Sequence, residues 1–303
     1  MSTLRFEPTR WIVGLVGGAS LLVLTACQPL QLPQSPLAQA ETPTTEAATE
    51  AATETTAAVT DAVMAGQPVS DEVAAIIMAD LAWGAEGAAN AAIQAILTAN
   101  DERFVPVLIE LLRFGQLGIT RPGADYLDAL EQLSGQSFGA NWPAWIEWYG
   151  GTEIEPPPGF TTWKGNALGR IDPRFAEFLQ DEHPTTIRPE EIQWGGVVVD
   201  GIPALDQPRM LAASQADYLG AEEPVFGIAL NGEARAYPLR IIDWHEMAND
   251  TVGDIPVSLA YCTLCGSAIA YDGRASDGVT YDFGSSGFLF RSNKLMYDRQ
   301  TRT

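Results

Sequence analysis

The chain has 303 residues, with 39 acidic side chains against 17 basic ones and a formal net charge of −22. Nucleic acids and anionic lipid surfaces are polyanions, which proteins bind through clustered lysine and arginine. The composition therefore argues against nucleic acid as a partner and against a membrane contact made through surface charge.

The N-terminus has the layout of a secretory signal. Arg5 and Arg10 precede an apolar run from Trp11 to Ala26, and this run is shorter than the ~20 residues that a membrane-spanning helix needs. The run ends in LTAC, which resembles a bacterial lipobox, so residues 1–26 are predicted to be a lipoprotein signal peptide. Cys27 would receive a diacylglycerol that tethers the protein outside the cytoplasm, in the periplasm or at the cell surface. The alternative is an ordinary signal followed by a chance cysteine.

Residues 27–69 are rich in threonine, alanine and glutamate, as in ETPTTEAATEAATETTAA. Such a segment has almost no large apolar side chain with which to offset the entropy lost on folding. We expect a disordered stalk that separates the lipid from the folded part.

Residues 70–150 predict short amphipathic helices. SDEVAAIIMADLAW opens with Ser70 and Asp71 as capping residues, and its apolar residues follow helical spacing; Asp101 can cap a second apolar segment. Successive helices joined by short turns are similar to HEAT-type repeats. Such a stack could present a face to a protein partner, and the alternative is a simple packing domain or spacer.

A proline-rich segment at 151–160 marks a boundary, beyond which residues 160–303 show strand-like runs such as VFGIAL, EARAYP, IPVSLAY and SAIAYD. Asn231-Gly232 predicts a hairpin turn, since both residues tolerate positive φ. One helix is predicted within LRIIDWHEMAND, from Pro238 to about Asn249. The expected fold class is α+β, with an N-terminal α-helical repeat domain followed by a mainly antiparallel β-rich domain.

Four blocks in this region carry a family resemblance: IQWGGVVVDGIPALDQPR, GEARAYPLRIIDWHEMANDTVG, AYCTLCGSAIAYD and SSGFLFRSNKLMYDRQT. In this order they resemble domain of unknown function family 3179, over about residues 165–303. The resemblance implies no particular activity. Members of the family usually continue past the last block with a tryptophan-containing segment, so the resemblance also implies a β-rich domain that is incomplete at its C-terminus.

YCTLCG places Cys262 and Cys265 in a Cys-x-x-Cys pair with a glycine directly after it. As a structural disulfide the pair would close so short a loop that it contributes only ~2 kcal/mol. As a redox pair it would suit an oxidising compartment. Strand-like runs on both sides favour a third interpretation, a metal knuckle in which two thiolates face one ion.

His245, in DWHEMAND, is the candidate third ligand, because the other histidine, His183, lies in a polar loop. A Cys₂His set would leave a fourth position, for which the chain offers Glu246, Asp250 or Met296. The expected metal is zinc or copper, and the thioether of Met296 would favour copper. The alternative for His245 is a hydrogen-bonded core histidine beside Trp244.

A further group of polar residues follows the cysteines and could line a pocket, although serine-glycine turns and charged strand ends are also ordinary at a protein surface: Ser285, Ser286, Lys294, Asp298 and Arg299. The sequence has no GxSxG, phosphate loop, dinucleotide fingerprint or HExxH motif.

The sequence therefore predicts an extracytoplasmic lipoprotein that binds a transition metal through Cys262, Cys265 and His245, for metal handling or electron transfer. One alternative is a thiol-disulfide oxidoreductase with Cys262 and Cys265 as its catalytic pair. The other is a non-enzymatic interaction scaffold at the cell surface.

Overall fold

The structure is a computed structural model that describes residues 63–120, 125–276 and 278–303. These residues all belong to one compact unit. The predicted signal peptide, the lipidation site Cys27 and most of the predicted stalk lie outside the described residues. Within the described ranges, no helix combines the length and the apolar character needed to cross a membrane.

Helices form the first part of the described chain. Their bounds are α1 Asp71–Trp83, α2 Glu86–Ala99, α3 Val105–Gln116, α4 Asp125–Ser134, α5 Trp142–Tyr149, α6 Phe160–Leu168 and α7 Arg174–Phe178. The predicted caps are present: Ser70 Oγ accepts from the backbone N–H of Val73, and the Asp101 carboxylate accepts from the N–H of Arg103. These bonds satisfy backbone donors that have no partner inside a helix.

Helix α3 lies at the centre of the helical region. Most of its residues are buried, including Val105, Leu108 and Phe114, as expected of a helix that is covered on nearly every side. Around it pack the large side chains of neighbouring helices, among them Trp145 and Phe160, which are almost fully buried. This apolar core holds the helices of the region together.

The packing of the helical region involves residues on both sides of the predicted bounds of 70–150. Val69, at the end of the predicted stalk, is buried, and its N–H donates to Asp101. Helices α6 and α7 lie after the proline-rich segment, in the part expected to be β-rich. The indole N–H of Trp163 in α6 donates to the carbonyl of Met78 in α1 at 2.8 Å, so α6 is tied to the first helix of the chain.

The strands and one further helix follow. Their bounds are β1 Ile192–Trp194, β2 Leu205–Asp206, β3 Val225–Leu230, β4 Glu233–Pro238, α8 Leu239–Ile242, β5 Met247–Val252, β6 Ile255–Cys262, β7 Ser267–Asp272, β8 Phe283–Phe290 and β9 Asn293–Asp298.

The strands form three sheets in the described chain, ordered β1-β8-β9, β2-β5-β6-β7 and β3-β4. All of these pairs are antiparallel except β2 with β5. The protein is thus α+β, with helices first and antiparallel-rich sheets after them. The hairpin predicted at Asn231-Gly232 is confirmed, since Leu230 pairs with Glu233 and both turn residues have positive φ.

The helix predicted over LRIIDWHEMAND is wrong beyond its first turn. Helix α8 ends at Ile242, and the chain becomes strand β5 at Met247. The cause is the next turn, where Gly253 and Asp254 both have positive φ and join β5 to β6 with Val252 opposite Ile255. Two such residues favour a tight hairpin, and pairing with β6 outweighs the local helical pattern.

Strand β8 positions the functional region against the helices. Its sequence, FGSSGFLF, is rich in small residues, and sequence reasoning took part of it for serine-glycine turns. Phe288 of β8 stacks on Phe175 of α7 with ring centroids 4.6 Å apart, so the β1-β8-β9 sheet shares the helical core. A second, smaller core includes Tyr237, Leu259 and Tyr261 beneath the β3-β4 hairpin.

Candidate functional site

Cys262 and Cys265 lie in the tight turn between β6 and β7 and form a disulfide, with their Cα atoms 5.2 Å apart. The carbonyl of Cys262 accepts from the N–H groups of Cys265, at 3.2 Å, and Gly266, at 2.8 Å. Gly266 has φ +63°, a conformation that glycine adopts without steric cost. The predicted order of strand, Cys-x-x-Cys-Gly, strand is therefore present, with Cys262 paired to Ser267.

The two sulfur-bearing residues differ in their surroundings. Cys262 ends strand β6 and is 1 % exposed, whereas Cys265 is half-buried in the turn. Cys262 lines a cavity, and Cys265 is not among the residues that line it. Cys265 is therefore the more exposed residue of the pair, while the buried Cys262 faces the cavity.

The cavity has a volume of about 720 Å³ and lies beside the disulfide turn. Several separate parts of the chain form its wall: the segment after β1, the turn before β5, the β6-β7 turn, and strands β8 and β9. Apolar residues make much of this wall, including Val197, Ile202, Phe288 and Leu289. Its size is within the range of roughly 300–1,000 Å³ that is usual for ligand pockets.

His245 lines the same cavity as Cys262. It lies in the turn between α8 and β5 rather than on a helix. Its Nδ1 is 2.8 Å from the carbonyl oxygen of Pro203. Because a carbonyl can only accept, Nδ1 carries the proton of this bond, and in the neutral ring Nε2 keeps its lone pair. That nitrogen is able to accept a proton or to bind a metal ion.

Lys294 of β9 is a buried cation at this cavity, with a side chain that is 3 % exposed. Its Nζ donates to the carbonyl of Glu246 at 3.1 Å and to Ser285 Oγ at 3.0 Å, and it lies 3.6 Å from the Glu246 carboxylate. Burial lowers the pKa of the Lys294 amine, against the opposing attraction of Glu246.

Glu246 occupies the left-handed region, with φ 52°. Its N–H donates to the carbonyl of Ile242 at 2.7 Å and so closes the end of helix α8, a position usually held by glycine or asparagine. The carbonyl of Glu246 also accepts from the N–H of Tyr261 at 2.8 Å. Lys294, Glu246 and the last residues of β6 are thereby held in one local network.

The other predicted ligands lie in different contacts. The Asp250 carboxylate accepts from Arg235 and from the hydroxyl of Tyr237 at 2.8 Å. Neither Asp250 nor Met296 is among the residues that line the cavity. In residues 63–120, 125–276 and 278–303, no group of three or more His, Cys, Asp and Glu side chains is arranged to hold a metal ion.

Of the polar residues considered after the cysteines, Ser285 and Lys294 line the cavity. Ser286 instead donates to the carbonyl of Leu295, Arg299 pairs with Asp206 at 2.8 Å, and Asp298 accepts from the N–H of Gln300. Sequence reasoning missed the exposed apolar residues Trp244 and Leu264 at the cavity. A leucine between two cysteines in a polar turn was the signal that could have indicated them.

The family comparison matches this part of the chain. Residues 199–303 match the family described as protein of unknown function (DUF3179). Over these residues the chain is similar to that family. The match begins later than the residue 165 suggested by the sequence blocks, and it includes Cys262, Cys265, His245 and Lys294. No curated protein and no solved structure matches the chain.

Proposed function

We propose that the protein is a thiol-disulfide oxidoreductase in which Cys262 and Cys265 are the redox pair. The observation that carries this proposal is a disulfide in a surface turn, with the half-buried Cys265 accessible from outside and the buried Cys262 facing a cavity. Access and a nearby resolving cysteine are what disulfide exchange requires.

A purely structural role does not explain this disulfide well. The turn is already closed by backbone hydrogen bonds from Cys265 and Gly266 to Cys262, and by the pairing of β6 with β7. A disulfide across so short a loop contributes only about 2 kcal/mol through the unfolded state. The pair is therefore better explained by its chemistry than by its contribution to stability.

The reaction is a two-electron exchange with a substrate dithiol. A substrate thiolate attacks Cys265 Sγ, the bond between the two protein sulfurs breaks, and Cys262 leaves as a thiolate. The second substrate thiolate then attacks the substrate sulfur of this mixed disulfide and releases Cys265. The substrate becomes a disulfide and the protein a dithiol, and the reverse sequence reduces a substrate disulfide.

The test compares Cys262→Ser with its matched control Cys265→Ser, both also carrying Cys27→Ser, each incubated with a linear peptide whose single cysteine is activated as a disulfide with thionitrobenzoate. We expect Cys262→Ser to form a stable mixed disulfide through Cys265, because no second protein thiol remains to resolve it. Cys265→Ser should form little, since Cys262 is buried. Intact mass spectrometry under non-reducing conditions measures both. Trapping in neither variant, or a wild-type disulfide that dithiothreitol leaves intact, would contradict the proposal.

Metal binding is the second candidate function, favoured by His245 Nε2, which lies in a ring that lines the same cavity as Cys262. Zinc or copper would need the reduced pair, because disulfide sulfurs are not thiolate ligands. Of the residues considered for the fourth ligand position, Glu246 lines the cavity. Metal analysis of reduced protein separates the two functions. Stoichiometric metal that is lost in His245→Ala and in both cysteine variants would favour metal handling over disulfide exchange.

The proposal places this chemistry outside the cytoplasm, on a protein anchored to the membrane through Cys27. We expect Cys27→Ser to move the protein from the membrane fraction to the soluble fraction without changing its fold, because the lipid supplies the contact. Cys262→Ser is the matched control and should stay with the membrane. Membrane association of Cys27→Ser equal to that of the parent would rule out the lipid anchor.

The helical region is proposed to be HEAT-like and to offer a face to a protein partner. The packing of α1 on α2 and of α3 on α4 supports an arrangement of consecutive helix pairs. An experimental structure in which the α1-α2 pair superposes on the α3-α4 pair would support the HEAT-like arrangement. Unrelated crossing angles in the two pairs would contradict it. If neither redox nor metal chemistry is found, this face would make the protein an interaction scaffold.

A further inference from the structure

Two large apolar side chains stand at the mouth of the cavity, next to the disulfide. Trp244 is 78 % exposed and Leu264 is 74 % exposed, and among the large apolar residues that the structure describes these two are the most exposed. Both contribute to the cavity wall. Exposing so much apolar surface is unfavourable, and such a patch commonly marks a site of interaction.

The position of Leu264 ties this surface to the chemistry. It lies between the two cysteines in sequence and directly precedes Cys265, so a thiol that approaches Cys265 comes close to its side chain. Beyond the mouth, the wall continues with apolar residues such as Ile202 and Phe288. A substrate with apolar groups beside its sulfur would therefore bury them on Leu264, Trp244 and the cavity wall.

The charge of the molecule argues against small anionic thiols. The chain carries a formal net charge of −22, and the exposed Asp243 is part of the cavity wall. The buried cation Lys294 is already paired with Glu246. A thiol that bears carboxylates is thus repelled on approach, whereas a neutral or basic polypeptide is not.

We infer that the substrate is a cysteine-containing polypeptide segment that has aromatic or aliphatic side chains next to its cysteine and is not yet folded. In folded proteins, cysteine and its apolar neighbours are usually buried, so such a segment is available mainly before folding is complete. This inference rests on the proposed redox function and names its substrate. Trp244 and Leu264 would bind the apolar side chains while Cys265 exchanges with the thiol.

The experiment measures the rate at which reduced thiols open the Cys262–Cys265 disulfide in the full chain. The probes are a dithiol peptide with phenylalanine and leucine beside its cysteines, the same peptide with serine and glycine there, glutathione, and dithiothreitol. The protein variants are Trp244→Ala and Leu264→Ala. Leu211→Ala serves as the control, because Leu211 is exposed but is not part of this cavity.

We expect the apolar peptide to react faster than the polar peptide and than glutathione. In Trp244→Ala and Leu264→Ala this rate should fall about tenfold, which is the factor that burying one large apolar side chain contributes. The dithiothreitol rate should not change, and Leu211→Ala should behave as the parent does. Circular dichroism checks that each variant is folded.

The experiment distinguishes failure of the inferred substrate from failure of the proposed redox function. If dithiothreitol reacts normally but both peptides react at one rate, or the two variants leave the apolar peptide unaffected, the inferred substrate is wrong and the redox function stands. A faster reaction with glutathione than with the apolar peptide would also overturn it. If no thiol opens the disulfide, the proposed function itself fails, and the inference with it.

Discussion

Lys294 is a positive charge held inside the protein, at the cavity that Cys262 faces. Its Nζ donates to Ser285 and to the carbonyl of Glu246. The carboxylate of Glu246 attracts this charge most, and that of Asp200 attracts it less strongly. Burial nevertheless dominates and lowers the amine pKa, because water would solvate the ammonium better than this surrounding does.

This burial predicts how stability depends on pH. The unfolded chain holds the Lys294 proton up to about pH 10.4, whereas the folded chain releases it at lower pH. The unfolded state therefore binds more protons in this window, and the free energy of unfolding should gain a positive contribution as pH rises from the folded pKa toward 10.4. Urea unfolding at several pH values measures it, and Lys294→Met should lose this contribution. An identical slope in the variant and the parent would contradict the prediction.

At the scale of single residues, the sequence identified the cysteine pair, because the spacing within a short turn is local information. It also selected His245 as the third ligand of a metal site, and Lys294 only as one of a longer group of polar residues. The contact of Lys294 with Glu246, and their place beside Cys262, depend on how three strands and a turn pack. That packing brings residues from distant parts of the chain together, and no local pattern reports it.

Among the elements, the turn between β5 and β6 determines where two residues of the site lie. It makes a strand of Met247–Val252 and so leaves His245 and Glu246 in a turn at the cavity. Gly253 has φ +54°, and a Cβ added there would clash with the carbonyl group of Leu230. Asn231, in the neighbouring hairpin, donates to the carbonyl of Gly253 at 2.8 Å, so the two turns are locked together.

Gly253→Ala is expected to lower the free energy of unfolding by more than about 1 kcal/mol, because alanine is strained at positive φ and the clash adds to this cost. Gly220→Ala is the matched control, since Gly220 has an ordinary φ and open space around its Cα. Chemical denaturation measures both variants. A loss at Gly253 no greater than that at Gly220 would show that this turn tolerates a side chain.

The strength of the local signals explains which elements were predictable. Asn231-Gly232 lies between two alternating strands, and the hairpin followed from it directly. Gly253-Asp254 is a comparable turn signal, but the residues before it, LRIIDWHEMAND, also fit a helix. Strand β8 gave no apolar alternation, because small residues occupy three consecutive buried positions, Ser285, Ser286 and Gly287. At Gly287 an added Cβ would lie 2.5 Å from the carbonyl oxygen of Val197.

Across the whole molecule, a buried ion pair joins the helices to the start of the sheets. Lys164 of α6 bonds to Glu110 of α3 at 2.6 Å, and its Nζ also donates to the carbonyls of Pro189 and Glu190 just before β1. Both side chains are almost fully buried. Burial of the carboxyl raises the pKa of Glu110, which reflects the cost of holding charge in this core.

A double-mutant cycle should reveal this coupling. Lys164→Met leaves the Glu110 carboxylate buried without its partner and is expected to cost about 3–5 kcal/mol of unfolding free energy, with Glu110→Met costing a similar amount. The double variant should lose clearly less than the sum of the two, because no unpaired charge remains. Denaturant unfolding of the four proteins gives the coupling energy. Additive losses would mean that the two residues act independently.

The overall α+β order followed from the sequence, because helical spacing and strand alternation are properties of each segment. How the two parts share a core did not follow. Phe175 of α7 and Phe288 of β8 are far apart in the chain and stack together only in the folded protein. Helices α6 and α7 were assigned to the β-rich part because the proline-rich segment suggested a boundary before them.

The pairing of β1 with β8 means that the family boundary is not a folding boundary. The family match starts at residue 199, whereas β1, which covers one edge of β8, ends at Trp194. A piece of chain that began at 199 would leave that edge of β8 with unpaired backbone groups and Phe288 without Phe175. Open, apolar strand edges recruit other strands. In this protein the residues ahead of the family match therefore cover a strand edge that would otherwise be open to such pairing.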